Sequence, residues 1–169
     1  IASIRSAIAF GKKYNLKIVL AGAAESWKIA EEVAKSGFPV VLAPAGRSTL
    51  SANAPANDWD PYDTPYVAPG ILARAGVKFC FMTEDNSGSN NIGIRAAQSV
   101  AYGLTMDQLL RALTLSAAEI LGVGDELGSL ETGKIATLFV CEGDPCDLTS
   151  NISYAFVAGR PVKLESKHT

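Results

Sequence analysis

The sequence predicts an α/β fold built on a parallel sheet, followed by a small antiparallel β segment. Helical and apolar segments alternate through the first half of the chain, which is the order of helix–strand units. The apolar segments are continuous runs rather than alternating patterns, which is typical of a parallel sheet covered on both faces. Beyond Gly122 the pattern changes to short strands separated by turn residues, which favours antiparallel pairing.

The first half of the chain contains two predicted helix–strand units. Ile4 and Ile8 share one face of an amphipathic helical pattern. Ser26 is a predicted N-cap, and Gly37 is suited to the left-handed position after the second helix. The predicted elements are a helix over residues 1–14, a strand over 17–21, a helix over 27–35 and a strand over 40–43.

Residues 44–65 interrupt this alternation with four prolines and several Asn and Asp residues. A loop of this length inside a compact domain is usually functional, and Trp59 and Tyr62 give it apolar groups to pack, so we expect an ordered lid. Its aspartates are interpreted as turn formers rather than as a metal cluster. A short helix over residues 68–75 and a third buried strand over residues 77–82 follow.

Two carboxylates, Glu84 and Asp85, come directly after this third strand. Parallel α/β folds place their working groups at the carboxyl ends of strands, so Glu84 and Asp85 are candidate catalytic residues. An Asp that begins a turn or caps the next helix is an equal alternative. Asn86 and Ser87 are candidate substrate-binding residues, although turn formation explains them equally well.

The remainder of the chain is predicted to form helices and then a hairpin. Thr105 with Gln108, and Ser116 with Glu119, each have the spacing of a capping box. Gly159-Arg160 is a predicted two-residue turn of the type that starts with Gly. The predicted elements are helices over residues 92–102 and 106–113, a short helical turn ending at Gly122, and strands over 135–141, 153–158 and 161–164.

Composition argues against several function classes. The chain has 169 residues, a formal net charge of −2 and no basic cluster, which argues against a nucleic-acid surface. No apolar run approaches the roughly 20 residues that span a bilayer, so no membrane partner is expected. Cys80, Cys141 and Cys146 are interpreted as buried free thiols, since Cys80 lies in one apolar strand and Cys141 ends another. His168, the only histidine, is interpreted as a solvated terminal residue.

No compartment follows directly from the sequence. The chain begins at Ile1 without Met or a signal-like segment, so we expect a native amino terminus to precede it. A cytoplasmic location is expected, with the periplasm as the alternative.

Residues 126–145 contain the chain's most specific motif. They read Glu-Leu-Gly-Ser-Leu-Glu-Thr-Gly-Lys-Ile-Ala-Thr-Leu-Phe-Val-Cys-Glu-Gly-Asp-Pro, and residues 157–162 read Val-Ala-Gly-Arg-Pro-Val. Both segments resemble the carboxyl-terminal signature of the amidohydrolase superfamily. The resemblance extends over roughly the whole chain and is nearest to the imidazolonepropionase-like amidohydrolases.

The resemblance implies a partial (β/α)8 (TIM-type) barrel and a segment of a β-sandwich domain. Residues 17–21, 40–43 and 77–83 would be the last three barrel strands, six, seven and eight, with the first five before Ile1. Three strands in 169 residues agree with a carboxyl-terminal portion, since a complete barrel takes about 250 residues. The implied division is a barrel part over residues 1–122 and a β-sandwich segment over 123–169. The expected partner is the missing amino-terminal half or a second copy.

The resemblance also implies a metal-dependent hydrolase acting on C–N bonds of a small-molecule amide or cyclic amide. Asp85 would be a metal ligand and general base, and zinc is the expected divalent metal because it activates bound water near neutral pH. The family's strand six ends in a metal-binding His, whereas residues 17–22 contain none. The alternative is therefore a catalytically inactive amidohydrolase-like binding protein with a degenerate metal site. The chain alone is not expected to bind zinc tightly.

Overall fold

The computed structural model describes residues 1–44, 63–83 and 91–164. These residues form six α-helices, two 3-10 helices and six strands. In chain order the elements are α1 (Ala2–Lys13), β1 (Leu20–Ala21), a 3-10 helix (Ala24–Ile29), α2 (Ala30–Ser36), β2 (Val40–Leu42), α3 (Thr64–Arg74), β3 (Phe79–Phe81), α4 (Ile92–Ala97), a 3-10 helix (Gln98–Tyr102), α5 (Met106–Leu113), α6 (Leu115–Ile120), β4 (Leu138–Glu142), β5 (Asn151–Val157) and β6 (Arg160–Pro161).

The three strands of the first half form a parallel sheet in the order β1-β2-β3. Leu20 is in register with Val40, and Val40 with Phe79, so the strands start at the same level. The predicted α/β architecture with a parallel sheet is therefore confirmed. Each strand is shorter than the apolar run that predicted it, because only the residues in that common register pair.

Helices cover one face of this sheet. Leu20, Val40 and Phe79 belong to the main hydrophobic core, which also contains buried residues from α1 to α5. On the opposite face, Cys80 is buried, Val41 is partly buried and Ala21 is exposed. The expectation that both faces are covered therefore holds only in part for the described residues. The sequence of a continuous apolar strand shows that both of its faces are apolar, but it does not show which elements cover each face.

The connection after β1 differs from the prediction. The chain enters a 3-10 helix immediately after Gly22, with the Ser26 amide donating to the Ala23 carbonyl oxygen at 2.9 Å. Ser26 therefore lies inside this turn and is 1% exposed, so it is not the N-cap of α2. Its hydroxyl makes no hydrogen bond within the described residues. Gly37 does end α2 in the left-handed conformation, at a φ of 73°.

Two helices differ from their predicted extents. α3 begins at Thr64, four residues earlier than predicted, because Pro65 lies in its first turn, where proline is well tolerated. The prediction had assigned that proline to the preceding loop. The helix predicted over residues 92–102 is α-helical only to Ala97 and continues as the 3-10 helix Gln98–Tyr102.

The α5–α6 hairpin contains one of the two predicted capping boxes. The Gln108 amide donates to Thr105 Oγ1 at 3.2 Å, and the Thr105 amide donates to Gln108 Oε1 at 3.0 Å. The second predicted box is wrong. α6 begins at Leu115, so Ser116 is buried inside the helix. Glu119 instead pairs with cations on two other elements.

Glu119 links the amino end of β3 to the helical hairpin. Its carboxylate oxygens lie 2.8 Å from Lys78 Nζ and 3.0 Å from Arg111 Nη2. The contact with Lys78, followed by the charge of Arg111, lowers the pKa of Glu119 below its ordinary value. The carboxylate therefore favours the folded state when it is ionised.

Glu119→Gln is expected to lower the free energy of unfolding by about 1 kcal/mol at pH 7, a modest value because both cations are half-exposed. Because the pKa of the Glu119 carboxyl is lower in the folded state, its ion pairs stabilise the fold fully at a pH above the unfolded-state pKa, ordinarily about 4.3. This stabilisation is lost as the pH falls through the folded-state pKa. Urea unfolding of both proteins from pH 7 to pH 3 should show the difference disappearing in the acid range. Glu126→Gln, at an exposed position, is the control, and an unchanged difference at pH 3 would contradict this assignment.

Lys134 stabilises the turn that follows α6, in the segment whose sequence resembles the family signature. Its ammonium donates to the Gly124 carbonyl oxygen at 2.7 Å and to Ser129 Oγ at 2.6 Å, and its side chain is only 12% exposed. Gly128 lies at a φ of 94° close against Leu115 of α6. These residues therefore pack the segment onto the helical hairpin, and the motif has a structural role here.

The last three strands form an antiparallel sheet in the order β4-β5-β6, as predicted. The predicted turn is displaced by one residue. Val157 pairs with Arg160, which leaves Ala158 and Gly159 as the turn, at φ of 50° and 77°. Positive φ at both positions is the type I′ pattern, whose twist matches the flanking strands.

Apolar side chains remain exposed on this antiparallel sheet. Phe139 of β4 is 50% exposed, and Tyr154 of β5 is 63% exposed. Their alternating positions place them on opposite faces, so neither face of the sheet is fully covered by the described residues.

Candidate functional site

The carboxyl edge of the parallel sheet is the candidate site. Each strand reaches this edge at the same level, because the Gly22 amide donates to the Val41 carbonyl oxygen at 3.1 Å and the Met82 amide donates to that of Leu42 at 2.8 Å. The chain leaves the edge through Gly22 after β1, Pro44 after β2 and Thr83 after β3. Three connections therefore converge where parallel α/β folds place their functional groups.

The described part of this edge is poor in metal-ligating side chains. β1 ends in Leu20-Ala21 and continues to Gly22, and β2 continues into Ala43-Pro44. Thr83 supplies a hydroxyl after β3. Across residues 1–44, 63–83 and 91–164, no group of three or more His, Cys, Asp or Glu is placed to hold a metal ion. The described residues therefore do not by themselves fit a zinc site.

The predicted site residues lie outside the described residues. Glu84, Asp85, Asn86 and Ser87 follow Thr83 directly in the sequence. Their roles as acid, metal ligand and substrate-binding groups stay predictions. The proposed lid residues Trp59 and Tyr62, and the terminal residue His168, also lie outside the described ranges.

Arg95 reaches this edge from α4 and was not identified from the sequence. Its Nη2 donates to the Pro44 carbonyl oxygen at 3.1 Å in partly buried surroundings. The two residues are 51 positions apart, so no local pattern indicates their contact. The only signal available in the sequence is an arginine in the last turn of the helix that follows residues 84–90.

The cysteines have different environments. All three are free thiols, as predicted, and Cys80 and Cys146 are buried. Cys141, which was also expected to be buried at the end of an apolar strand, is partly exposed. Burial raises the pKa of Cys80, and burial together with the nearby Asp144 carboxylate raises that of Cys146. Because the thiolate is the reactive form, both buried thiols are poor nucleophiles at neutral pH.

A groove of about 840 Å³ lies between the α5–α6 hairpin and the chain that leads into β4. Its lining is mainly apolar and includes Leu110, Leu115, Ile135 and Phe139. The lysine in its wall, Lys134, is already held by Gly124 and Ser129. The groove contains none of the residues at the carboxyl edge of the sheet, so it is separate from the candidate site.

Comparison with known proteins identifies the class. The model of the amidohydrolase family matches residues 66–164, which include β3, the helices after it and the whole antiparallel sheet. The match extends over more than half of the chain. The chain therefore belongs to the amidohydrolase family, and the resemblance inferred from residues 126–145 is confirmed.

Curated relatives include two differently named enzymes. The chain is 30% identical over 93 residues to an imidazolonepropionase of Sphingopyxis alaskensis, which covers 49% of this chain and 22% of that protein. It is 37% identical over 78 residues to a 5-methylthioadenosine/S-adenosylhomocysteine deaminase of Thermodesulfovibrio yellowstonii, which covers 40% of this chain and 18% of that protein. The chain thus spans about a fifth of the length of these relatives.

Solved structures of amidohydrolases share the fold. An amidohydrolase from Thermotoga maritima superimposes with a TM-score of 0.76 and 25% identity, over 96% of this chain and 41% of that chain. An adenosine deaminase from Xanthomonas campestris with bound zinc gives a TM-score of 0.52 and 23% identity, over 79% of this chain and 34% of that chain. The second likeness shows the fold alone.

None of the helices within the described ranges is both long and apolar enough to cross a membrane.

Proposed function

We propose that this chain is the carboxyl-terminal part of an amidohydrolase-type hydrolase acting on C–N bonds of a small-molecule amide or cyclic amide. The observation that carries the proposal is β3, which lies within the family match and ends at Phe81, three residues before Glu84. The names of the relatives refer to small molecules, imidazolonepropionate and 5-methylthioadenosine, which supports a small-molecule substrate.

The proposed architecture places β1, β2 and β3 as the last three strands of a (β/α)8 barrel. Each outer strand, β1 and β3, has one neighbour within the described sheet, and the face containing Ala21 and Val41 is not fully covered. Residues 1–122 would form the barrel part and residues 123–169 a β-sandwich segment. The amino-terminal half, or a second copy, would pair with the open edges and cover the exposed sheet faces.

The proposed site is centred on Asp85, as a metal ligand and as the general base that accepts a proton from water. Asn86 and Ser87 are proposed to bind the substrate. Zinc is the proposed metal, because it activates bound water near neutral pH. A catalytic zinc usually has three protein ligands, and the described residues do not supply them. The other ligands would therefore come from residues outside the described ranges or from the proposed amino-terminal half.

A second candidate function is a catalytically inactive binding protein with a degenerate metal site. The observation in its favour is that residues 17–22 contain no histidine, although β1 as the proposed strand six would be expected to end in one. Measurements of bound metal and of amide hydrolysis distinguish the two candidate functions, because a binding protein with a degenerate metal site would hold no metal and hydrolyse no amide.

Asp85→Asn is expected to lower amide hydrolysis by the full-length protein about 10²–10⁴-fold, the usual contribution of a positioned general base. The measurement is turnover on a panel of small amides and cyclic amides, with zinc content determined on the same samples. Asp125→Asn is the control, since Asp125 is exposed and lies far along the chain from the site segment. Full activity in Asp85→Asn would remove Asp85 from the proposal, and a metal-free, inactive parent would favour the binding protein.

A further inference from the structure

A small pocket lies at the amino end of β3, at the edge of the sheet opposite the candidate site. Its volume is about 210 Å³, and it is formed by the chain that enters β3 and by the α5–α6 hairpin. Lys78, directly before β3, Arg111 of α5 and Ser116 of α6 all line it. Pockets for drug-sized molecules are larger, about 300–1,000 Å³, so this pocket fits a small chemical group.

The wall of this pocket carries an excess of positive charge. Lys78 Nζ and Arg111 Nη2 lie 2.8 Å and 3.0 Å from the two carboxylate oxygens of Glu119, so one negative charge stands against two positive ones. One carboxylate oxygen on each cation leaves most of their N–H donors for other partners. Both cationic side chains are about half exposed, so an anion that enters the pocket can reach these donors.

Ser116 adds a neutral hydrogen-bonding group to the same pocket. The residue is 6% exposed and lies inside α6, and its hydroxyl has no hydrogen-bond partner among the described residues. A buried hydroxyl without a partner costs free energy, which a hydrogen bond to an occupant of the pocket would remove. The buried serine therefore indicates a polar occupant, and the two cations beside it indicate that this occupant is an anion.

We propose that this pocket binds a phosphate group, either as the free ion or as the phosphoryl group of a small molecule. Lys78 and Arg111 would donate charge-assisted hydrogen bonds to it, and the Ser116 hydroxyl would donate a neutral one. A phosphate has several strong acceptor oxygens that point in different directions, which matches donors on three separate elements. The pocket does not contain the carboxyl edge of the sheet, so this inference is independent of the proposed function.

The experiment titrates inorganic phosphate into the 169-residue chain by isothermal calorimetry, with sodium chloride keeping the ionic strength constant. We expect saturable one-to-one binding with a Kd of about 1 mM or below. Arg111→Gln should weaken binding about 10-fold or more, because a charged donor is lost. Ser116→Ala should weaken binding about 2–10-fold, because a neutral donor is lost.

Arg160→Gln is the matched control for the loss of a guanidinium charge. Arg160 is an exposed residue of β6 and does not line the pocket. Its substitution should change the Kd by less than about 2-fold, because salt screens exposed charges that lie away from the ligand. Circular dichroism establishes that each variant is folded. Ser116→Ala removes no charge and introduces a good helix former, so it keeps the test decisive if Arg111→Gln does not fold.

The same titration with methyl phosphate distinguishes the two sources of the phosphate group. Tighter binding of methyl phosphate would assign the pocket to the phosphoryl group of a larger ligand, and tighter binding of inorganic phosphate would assign it to the free ion. Either result upholds the site. No saturable binding of either compound by the unsubstituted chain would overturn the proposal, as would equal affinities in Arg111→Gln, Ser116→Ala and Arg160→Gln.

Discussion

Replacing Gly128 by alanine is expected to lower the free energy of unfolding by about 3 kcal/mol or more. Two costs add at this position. Its φ of 94° is strained for any residue with a Cβ, at about 1–2 kcal/mol. A Cβ would also lie 2.8 Å from the Leu115 Cα and from the Ala118 Cβ, so α6 must move, and overpacking of this kind costs about 1–3 kcal/mol.

Gly133→Ala separates these two costs. Gly133 has nearly the same φ, 96°, but a Cβ there would meet no atom within 4 Å. Its substitution should therefore cost only the conformational part, about 1–2 kcal/mol. Urea unfolding of both variants, followed by circular dichroism, measures the difference. Equal destabilisation would contradict the close packing of the segment on α6.

Leu72→Ala is expected to lower the free energy of unfolding by about 2–5 kcal/mol, the usual range for a buried leucine. Leu72 lies on α3, is 0% exposed and is among the largest fully buried side chains of the described core. Truncation removes its apolar contacts and leaves a cavity that the close-packed core, which also contains Val33 and Val40 at 0% exposed, fills only in part.

Leu121→Ala is the matched control for this change. Leu121 follows α6 and is 77% exposed, so the same substitution should alter stability by less than about 0.5 kcal/mol. Thermal and urea unfolding of the two variants make the comparison. A small effect at Leu72, similar to that at Leu121, would show that α3 does not pack into the core as described.

Features determined by neighbouring residues were predicted well from the sequence. The Thr105 capping box and the Gly37 stop depend on atoms within four residues of each other, and the structure has both. Ser26 and Ser116 have similar local signals, but both are buried inside helical turns. Packing against distant elements decides their positions, and a local pattern does not contain that information.

The same distinction applies to the candidate site. The carboxyl edge was predicted because strand order and apolar runs indicate a parallel sheet. The contact between Arg95 and Pro44 was not, because it joins residues 51 positions apart. The face of each strand that the helices cover was also not predictable, since Val41 and Val40 are equally apolar in the sequence but differ in burial.

Zinc titration of the 169-residue chain by isothermal calorimetry tests most directly the claim that this chain supplies only part of a site. We expect no stoichiometric binding at submicromolar affinity, because a catalytic zinc usually has three protein ligands and the described residues contain no cluster of three or more His, Cys, Asp or Glu placed to hold a metal ion. Stoichiometric submicromolar binding that Asp85→Asn abolishes would show that the chain holds a complete metal site, and would contradict this expectation.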